Sequence, residues 1–238
     1  MKVIRVVQLY PRDMNIYGDW GNTLAIAKRL EWHGYRPDLL EYNVGDVFPK
    51  DVDIIVGGGG QDSGQSVIVD DLQKISPLLH KLADNNIPML VVCGLYQLFG
   101  SLFITSNGKN MPGIGIFDAE THASHKRLIG NVVVDSIEFG DIVGYENHSG
   151  QTTLRQDCKP LGTVLIGAGN NDKDSHEGAR YRNVIGTYLH GALLPKNPKI
   201  TDWIIEKAVS RKYGSFVPSD IDESYSTKAR ETAKKRPR

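Results

Sequence analysis

Two residues far apart in the chain have types suited to nucleophilic chemistry. Cys93 follows the apolar run Met89–Val92 in "PMLVVCGLYQLFG", and His190 ends the run Val184–Leu189 in "NVIGTYLHG". Each stands where a strand is expected to end. In open α/β sheets, ligands and reacting groups collect at the C-terminal ends of strands. A thiol becomes a strong nucleophile when a base takes its proton, and imidazole does this near neutral pH. Such a pair is expected to be adjacent in space rather than in sequence. The alternative for Cys93 is a small core residue, because free cysteine is among the most often buried residue types. The alternative for His190 is a histidine in a surface turn. His33, His80, His122, His125, His148 and His176 compete for the role, and only His148, in "GYENHSG", has a similar strand-end setting.

A third stretch, "VGGGGQDSG" (56–64), places four glycines just after another apolar run. Glycines there let backbone N–H groups turn toward an anion. Gly59 or Gly60 could pair with the N–H of Gly94 to hold an oxyanion. A phosphate-binding loop is a poor fit, since no Gly-Lys-Ser/Thr follows. A tight turn without chemistry is the plain alternative. Metal sites are poorly supported. His122 and His125 have an H-x-x-H spacing without a third ligand, and "NNDKDSHEG" (170–178) lacks the register of a calcium loop.

The elements that must position these residues follow from periodicity. Val3–Leu9 reads as a first strand. Asn22–Tyr35 reads as a helix, with Leu24, Ala27, Leu30 and Trp32 at near-helical spacing and Gly34 as its stop. Pro37–Val44 and Asp51–Gly60 read as strands, Ser66–Asn86 as a helix with a possible kink at Pro77, and Pro88–Val92 as a strand. Alternating strands and helices imply βαβ units and a parallel sheet covered on both faces. After Gly100 come short β-rich runs with few helical signals, so this half is expected to be strand-rich and partly antiparallel. Asn197–Gly214 closes as an amphipathic helix with Ile200, Trp203, Ile204 and Ala208 on one face. Residues 1–214 are thus one expected domain. Residues 215–238 are an expected polar tail, whose last eleven residues hold six basic side chains against one acid.

Composition narrows the classes. The 238-residue chain has a formal net charge of zero, so no overall basic field favours nucleic acid. No apolar run approaches 18 residues, so no membrane span is expected. Its start is too short and interrupted for a secretory signal. Two cysteines make no disulfide framework and suit a reducing cytoplasm.

The glycine turn, the Cys turn and the late "YLHG" together resemble class I glutamine amidotransferases, in the branch of cobyric acid synthase. Four further stretches resemble the glutaminase subunits of lipid II isoglutaminyl synthases: "LYPRDMNIYGDWGN" (9–22), "GGGGQDSGQ" (57–65), "GYENHSGQT" (144–152) and "GALLPKNPKITDW" (191–203). The resemblance covers residues 1–214. It implies a flavodoxin-like α/β domain in which Cys93 is the nucleophile and His190 the general base and acid. It implies that Arg127, in "SHKRLIG", holds the α-carboxylate of L-glutamine, and that Gln97 matches the glutamine of a Cys-x-Gly-x-Gln motif. Two positions depart from the family pattern. Leu95 stands where a glycine is usual, and Ala192 stands where the acid that orients the histidine is usual. The resemblance therefore points to an acid from a partner. That partner is a MurT-like Mur ligase homologue, forming a heterodimer, with ATP and magnesium on that subunit and no cofactor in this chain. Ammonia from glutamine would serve to amidate lipid II at the inner face of the membrane. A cobyric-acid-type amidotransferase and a stand-alone thiol hydrolase are the alternatives.

Overall fold

In the computed structural model, which describes residues 1–236, the first hundred residues alternate strand and helix. The elements are β1 (Val3–Leu9), α1 (Trp20–Trp32), β2 (Arg36–Tyr42), β3 (Ile54–Gly57), α2 (Asp62–Asp84), β4 (Met89–Val92) and the short α3 (Gly94–Phe99). β3 and β4 are buried along their whole length, as strands covered on both faces must be. Helix α2 runs through Pro77 as one element. Helix α1 differs from expectation in its buried face. Leu24 and Trp32 are half exposed, whereas Asn22, Thr23, Ile26, Ala27, Arg29 and Leu30 are buried. The polar members of that face have partners. Asn22 accepts a hydrogen bond from the Leu194 N–H at 2.9 Å, and Arg29 bonds both oxygens of Asp202. Polar groups can be buried where they find partners, although Asn22 Nδ2 finds none among the described residues.

The second half builds β5 (Leu102–Ile104), β6 (Asn110–Pro112), β7 (Ala119–Ser136), β8 (Gly140–Leu154), β9 (Gly162–Ile166), β10 (His176–Glu177), β11 (Ala179–Tyr181) and β12 (Val184–Thr187). It ends in α4 (Leu193–Lys196), α5 (Pro198–Tyr213) and α6 (Ser224–Lys234). Two six-stranded sheets result. The first has the order β11-β12-β4-β3-β1-β2, parallel except for β11 at its edge. The second is dominated by the long antiparallel β7–β8 hairpin, whose register shifts between Ala123 and Leu128. This bulge carries Arg127.

Helix α5 buries Ile200, Trp203, Ile204 and Ala208. Beyond it the chain folds back onto the domain. Phe216 packs on His33 and Tyr35, the Ser219 N–H donates to His33 Nδ1 at 3.0 Å, and Glu223 pairs with Arg29 at 2.7 Å. Helix α6 buries none of its own residues but lies along α4, β7 and β8, where Lys234 meets Asp141 at 2.7 Å.

Candidate active site

The parallel order of the first sheet brings the C-terminal ends of β1, β3, β4 and β12 to one edge. Cys93 sits there between β4 and α3, with φ 51° and ψ −104°. A non-glycine residue held in such a conformation costs of order 1–3 kcal/mol, which the surrounding structure must supply. Here the Cys93 N–H donates to Thr187 O at 2.8 Å, and the Cys93 carbonyl accepts from the Gln97 N–H at 2.9 Å. Leu95, unusual at its position, lies over β3: a Cβ on Gly57 would collide with its Cδ1. Gly57 thus makes room for Leu95, and the sharp turn at Cys93 is kept.

His190 lies at the end of β12 and is 1% exposed. Gly59 is what lets the histidine and the cysteine meet. A Cβ there would fall 2.7 Å from His190 Cε1 and 3.1 Å from Cys93 Cβ. His190 Nδ1 stands 3.2 and 3.1 Å from the two carboxylate oxygens of Asp19, which is fully buried. With the Nδ1–H donating to Asp19, Nε2 is the ring nitrogen left for Cys93. Burial works against the imidazolium. The Cys93 charge and the hydrogen bonds and charge of Asp19 outweigh that cost, so the His190 pKa rises to about 10. His190 is therefore held as an imidazolium next to the Cys93 sulfur.

Asp19 supplies His190 with a carboxylate from within this chain, where a partner's acid was expected. It comes from the start of α1 in this chain, 171 positions away from His190. Its Oδ2 also accepts the Gly59 N–H at 2.7 Å. That bond changes the oxyanion assignment: the N–H of Gly59 is engaged by the acid, while Gly60 N lies 3.0 Å from where a Cβ on Gly94 would be. Gly60 and Gly94 therefore lie directly against each other beside Cys93.

Cys93 and Gly60 open onto a cavity of about 400 Å³, whose lining also includes Gln97, Arg127, Asn147 and His148. Arg127 reaches it from the second sheet, its Nε donating to Asn147 Oδ1 at 2.6 Å. Gln97 also lines the cavity, but both ends of its amide have protein partners. Its Oε1 accepts from Gln65 at 2.8 Å and its Nε2 donates to the Tyr188 hydroxyl at 3.2 Å. It ties α2, α3 and the end of β12 together. His148 stacks on Tyr188 at 3.5 Å, with Nδ1 2.7 Å from Gly150 O. Burial pulls its pKa down to about 3, so it stays neutral and is no rival base. Behind the site, burial pushes Glu177 up to about 7, and its Oε1 accepts from Thr187 Oγ1 and the Tyr188 N–H at 2.6 and 2.8 Å. No three His, Cys, Asp or Glu side chains converge among the described residues, and His122 faces only Glu120 at 4.0 Å.

A model of the CobB/CobQ-like glutamine amidotransferase domain matches residues 5–198. The chain belongs to this family. Asp19, Cys93, Arg127 and His190 of this CobB/CobQ-like domain all lie within the matched span, and α6 lies outside it. The chain is 40% identical over 219 residues to the GatD subunit of lipid II isoglutaminyl synthase (glutamine-hydrolysing) from Staphylococcus aureus, covering 92% of this chain and 89% of that one. It is 35% identical over 217 residues to the corresponding subunit of Streptococcus pneumoniae, covering 90% and 84%. A probable cobyric acid synthase of Methanothermobacter thermautotrophicus is 32% identical over 180 residues, but only 34% of that longer protein is covered. Among solved structures, a glutamine amidotransferase superposes with TM-score 0.58 at 13% identity, over 85% of this chain and 98% of that one. PurLQS from Thermotoga maritima gives 0.54 at 18%, over 86% and 98%. At such identities these two speak for the fold alone.

Asp19, Tyr17, Asn147, Gln65 and Glu177 were not anticipated from sequence. Asp19 had a readable signal. It lies in "NIYGDWGN", in the connection between the first strand and the first helix, directly before α1.

Proposed function

We propose that this chain is the glutaminase subunit of a lipid II isoglutaminyl synthase. The observation that carries the chemistry is the buried line Asp19–His190–Cys93, whose cysteine lines a cavity that Arg127 also lines. Arg127 would hold the α-carboxylate of L-glutamine, a task suited to a guanidinium fork. The Cys93 thiolate attacks the side-chain carboxamide carbon, and the N–H groups of Gly60 and Gly94 receive the negative oxygen. The His190 imidazolium gives its Nε2 proton to the departing nitrogen, which leaves as ammonia. Neutral His190 then takes a proton from water, whose oxygen attacks the γ-glutamyl thioester. The C–S bond breaks, glutamate leaves and the thiolate returns. None of these steps needs a metal ion or a nucleotide.

The names of two relatives, subunits of a glutamine-hydrolysing lipid II isoglutaminyl synthase, support the choice of acceptor and of a partner subunit; the partner's nature is part of our reading. The ammonia passes to a synthetase subunit resembling MurT and the Mur ligases, which holds ATP and magnesium and activates the D-glutamate α-carboxylate of the lipid II stem peptide. D-isoglutamine is the product. The expected site of action is the inner face of the cell membrane, and no helix among the described residues is long and apolar enough to cross it. Because Asp19 orients His190 within the chain, the isolated subunit is expected to hydrolyse glutamine.

The test is copurification from native cells followed by assay of the complex. A Mur ligase homologue should be recovered, and the complex should amidate lipid II with glutamine or with ammonium. The Cys93→Ala complex should amidate with ammonium only. Recovery of a corrinoid-processing enzyme would overturn the acceptor, and glutamine-driven amidation by Cys93→Ala would overturn the mechanism.

A further inference from the structure

Arg127 is held by neutral partners. Its Nε donates to Asn147 Oδ1, and one of its terminal nitrogens lies 3.3 Å from the Tyr17 hydroxyl. Asn147 Nδ2 donates to the same hydroxyl at 2.9 Å. The three side chains form a closed ring at the cavity mouth. No carboxylate among the described residues lies within ion-pair distance of Arg127, so its charge is left for a ligand. The Tyr17 oxygen accepts two hydrogen bonds, which leaves its own O–H as a donor. An anion seated on Arg127 is the natural acceptor for that proton.

Tyr17 also touches the reacting end of the site. Its ring meets the His190 ring edge to face, with centroids 5.0 Å apart. Its backbone is left-handed, with φ 56° and ψ 21°, in a 3-10 turn (Ile16–Gly18) that β1 and α1 enclose. The turn is pinned to the glycine loop by the Ile16 N–H, which donates to Gly59 O at 3.0 Å. Two residues further on is Asp19, which orients His190. One short turn therefore carries both the group above the imidazole and the group behind it.

We propose that Tyr17 is a specificity and positioning residue. Its hydroxyl joins Arg127 in reading the α-carboxylate of the substrate, and its ring shields the His190 face from solvent while the substrate is bound. The inference rests on the glutaminase reading above. It predicts that selection for a carboxylate at the α-carbon depends on the Tyr17 hydroxyl, and that the ring influences the histidine independently of the hydroxyl.

The test uses the full chain in the complex recovered with it and compares L-glutamine with L-glutaminamide, in which a neutral amide replaces the α-carboxylate. Tyr17→Phe should raise KM for glutamine about tenfold with kcat within about twofold, the loss of one hydrogen bond to a charged group. The preference for glutamine over glutaminamide in kcat/KM should shrink by the same factor. Tyr17→Ala should add a fall in kcat and move the alkaline limb of the pH profile, where His190 loses its proton, which Tyr17→Phe should leave in place. Asn147→Asp gives Arg127 a carboxylate of its own and should raise KM at least as much as Tyr17→Phe. An unchanged preference in Tyr17→Phe, with KM raised in Asn147→Asp, overturns the role of Tyr17 and leaves the Arg127 site standing. A KM unchanged in both overturns the Arg127 site and this inference with it. Equal kcat and pH profiles in Tyr17→Phe and Tyr17→Ala overturn the shielding role.

Discussion

The two sheets contribute to the cavity in different ways. The first supplies Asp19, Cys93 and His190, which are 0%, 7% and 1% exposed. The second supplies Arg127, which is exposed, and Asn147, which is half-buried. The first set is held by strained backbone, by hydrogen bonds from neighbouring strands and by glycines that only just allow the approach. The second set stands on a long hairpin, Arg127 at its bulge and Asn147 in the regular register opposite Ile129, and is held by side-chain contacts. Bond making needs fixed geometry and poor solvation of the reacting charges. Recognition needs groups that a ligand can reach from water. The division teaches that reaction and recognition should fail separately when each sheet is altered.

The sharpest test of that separation is Cys93→Ala, which should lower glutamine hydrolysis by at least about a thousandfold while leaving the fold and glutamine binding in place. Residual turnover anywhere near that of the parent would break the comparison at once. Asp19→Asn comes next. It keeps the shape but supplies a weaker partner for Nδ1, and kcat should fall by roughly 10² to 10⁴ with KM little changed. The same variant has a signature in stability. The folded His190 pKa, about 10, lies above its ordinary value of 6.5. Its favourable contribution is therefore complete below about pH 6.5 and is lost as pH climbs toward 10. Urea unfolding of the parent should show this loss across that window, and Asp19→Asn should show less of it.

On the recognition side, Arg127→Ala should raise KM for glutamine by about ten- to a hundredfold with a smaller change in kcat, as steady-state kinetics would reveal. If kcat fell more than KM rose, the two sheets would not divide the labour as drawn. The smallest effect is expected where α6 meets β8. Lys234 and Asp141 are 24% and 43% exposed in their side chains. Such a surface pair is worth about 0–1 kcal/mol, so thermal melts of Lys234→Ala should barely move and glutamine kinetics should be unchanged.

The same contrast governs what could be read from sequence. The elements of the first sheet were legible because short apolar runs bounded by glycine and proline alternate with helical periodicity. Cys93 and His190 stood out because they end such runs. Arg127 did not. Nothing in "SHKRLIG" separates it from a surface charge, and only family resemblance marked it. Its placement depends on a register shift between two strands, which leaves no local pattern. The length of β7 and β8 was hidden for the same reason, since the bulge interrupts their alternation. Asp19 was overlooked because the acid was sought beside His190, at Ala192, and the fold supplies it from the other end of the chain. The buried face of α1 was misjudged because Asn22 and Arg29 are buried by virtue of partners far away in sequence.

The distance between Asp19 and His190 along the chain also sets when the site can exist. β12 is the last strand to join the first sheet, and Thr187 on it accepts the hydrogen bond that fixes the Cys93 turn. A ribosome adding about 5–20 residues per second leaves Cys93 without its histidine for roughly five to twenty seconds. During that interval the nascent chain holds a thiol with neither its base nor its bent backbone. A prematurely terminated chain lacking β12 is therefore a chemically quiet by-product of synthesis, unable to consume glutamine.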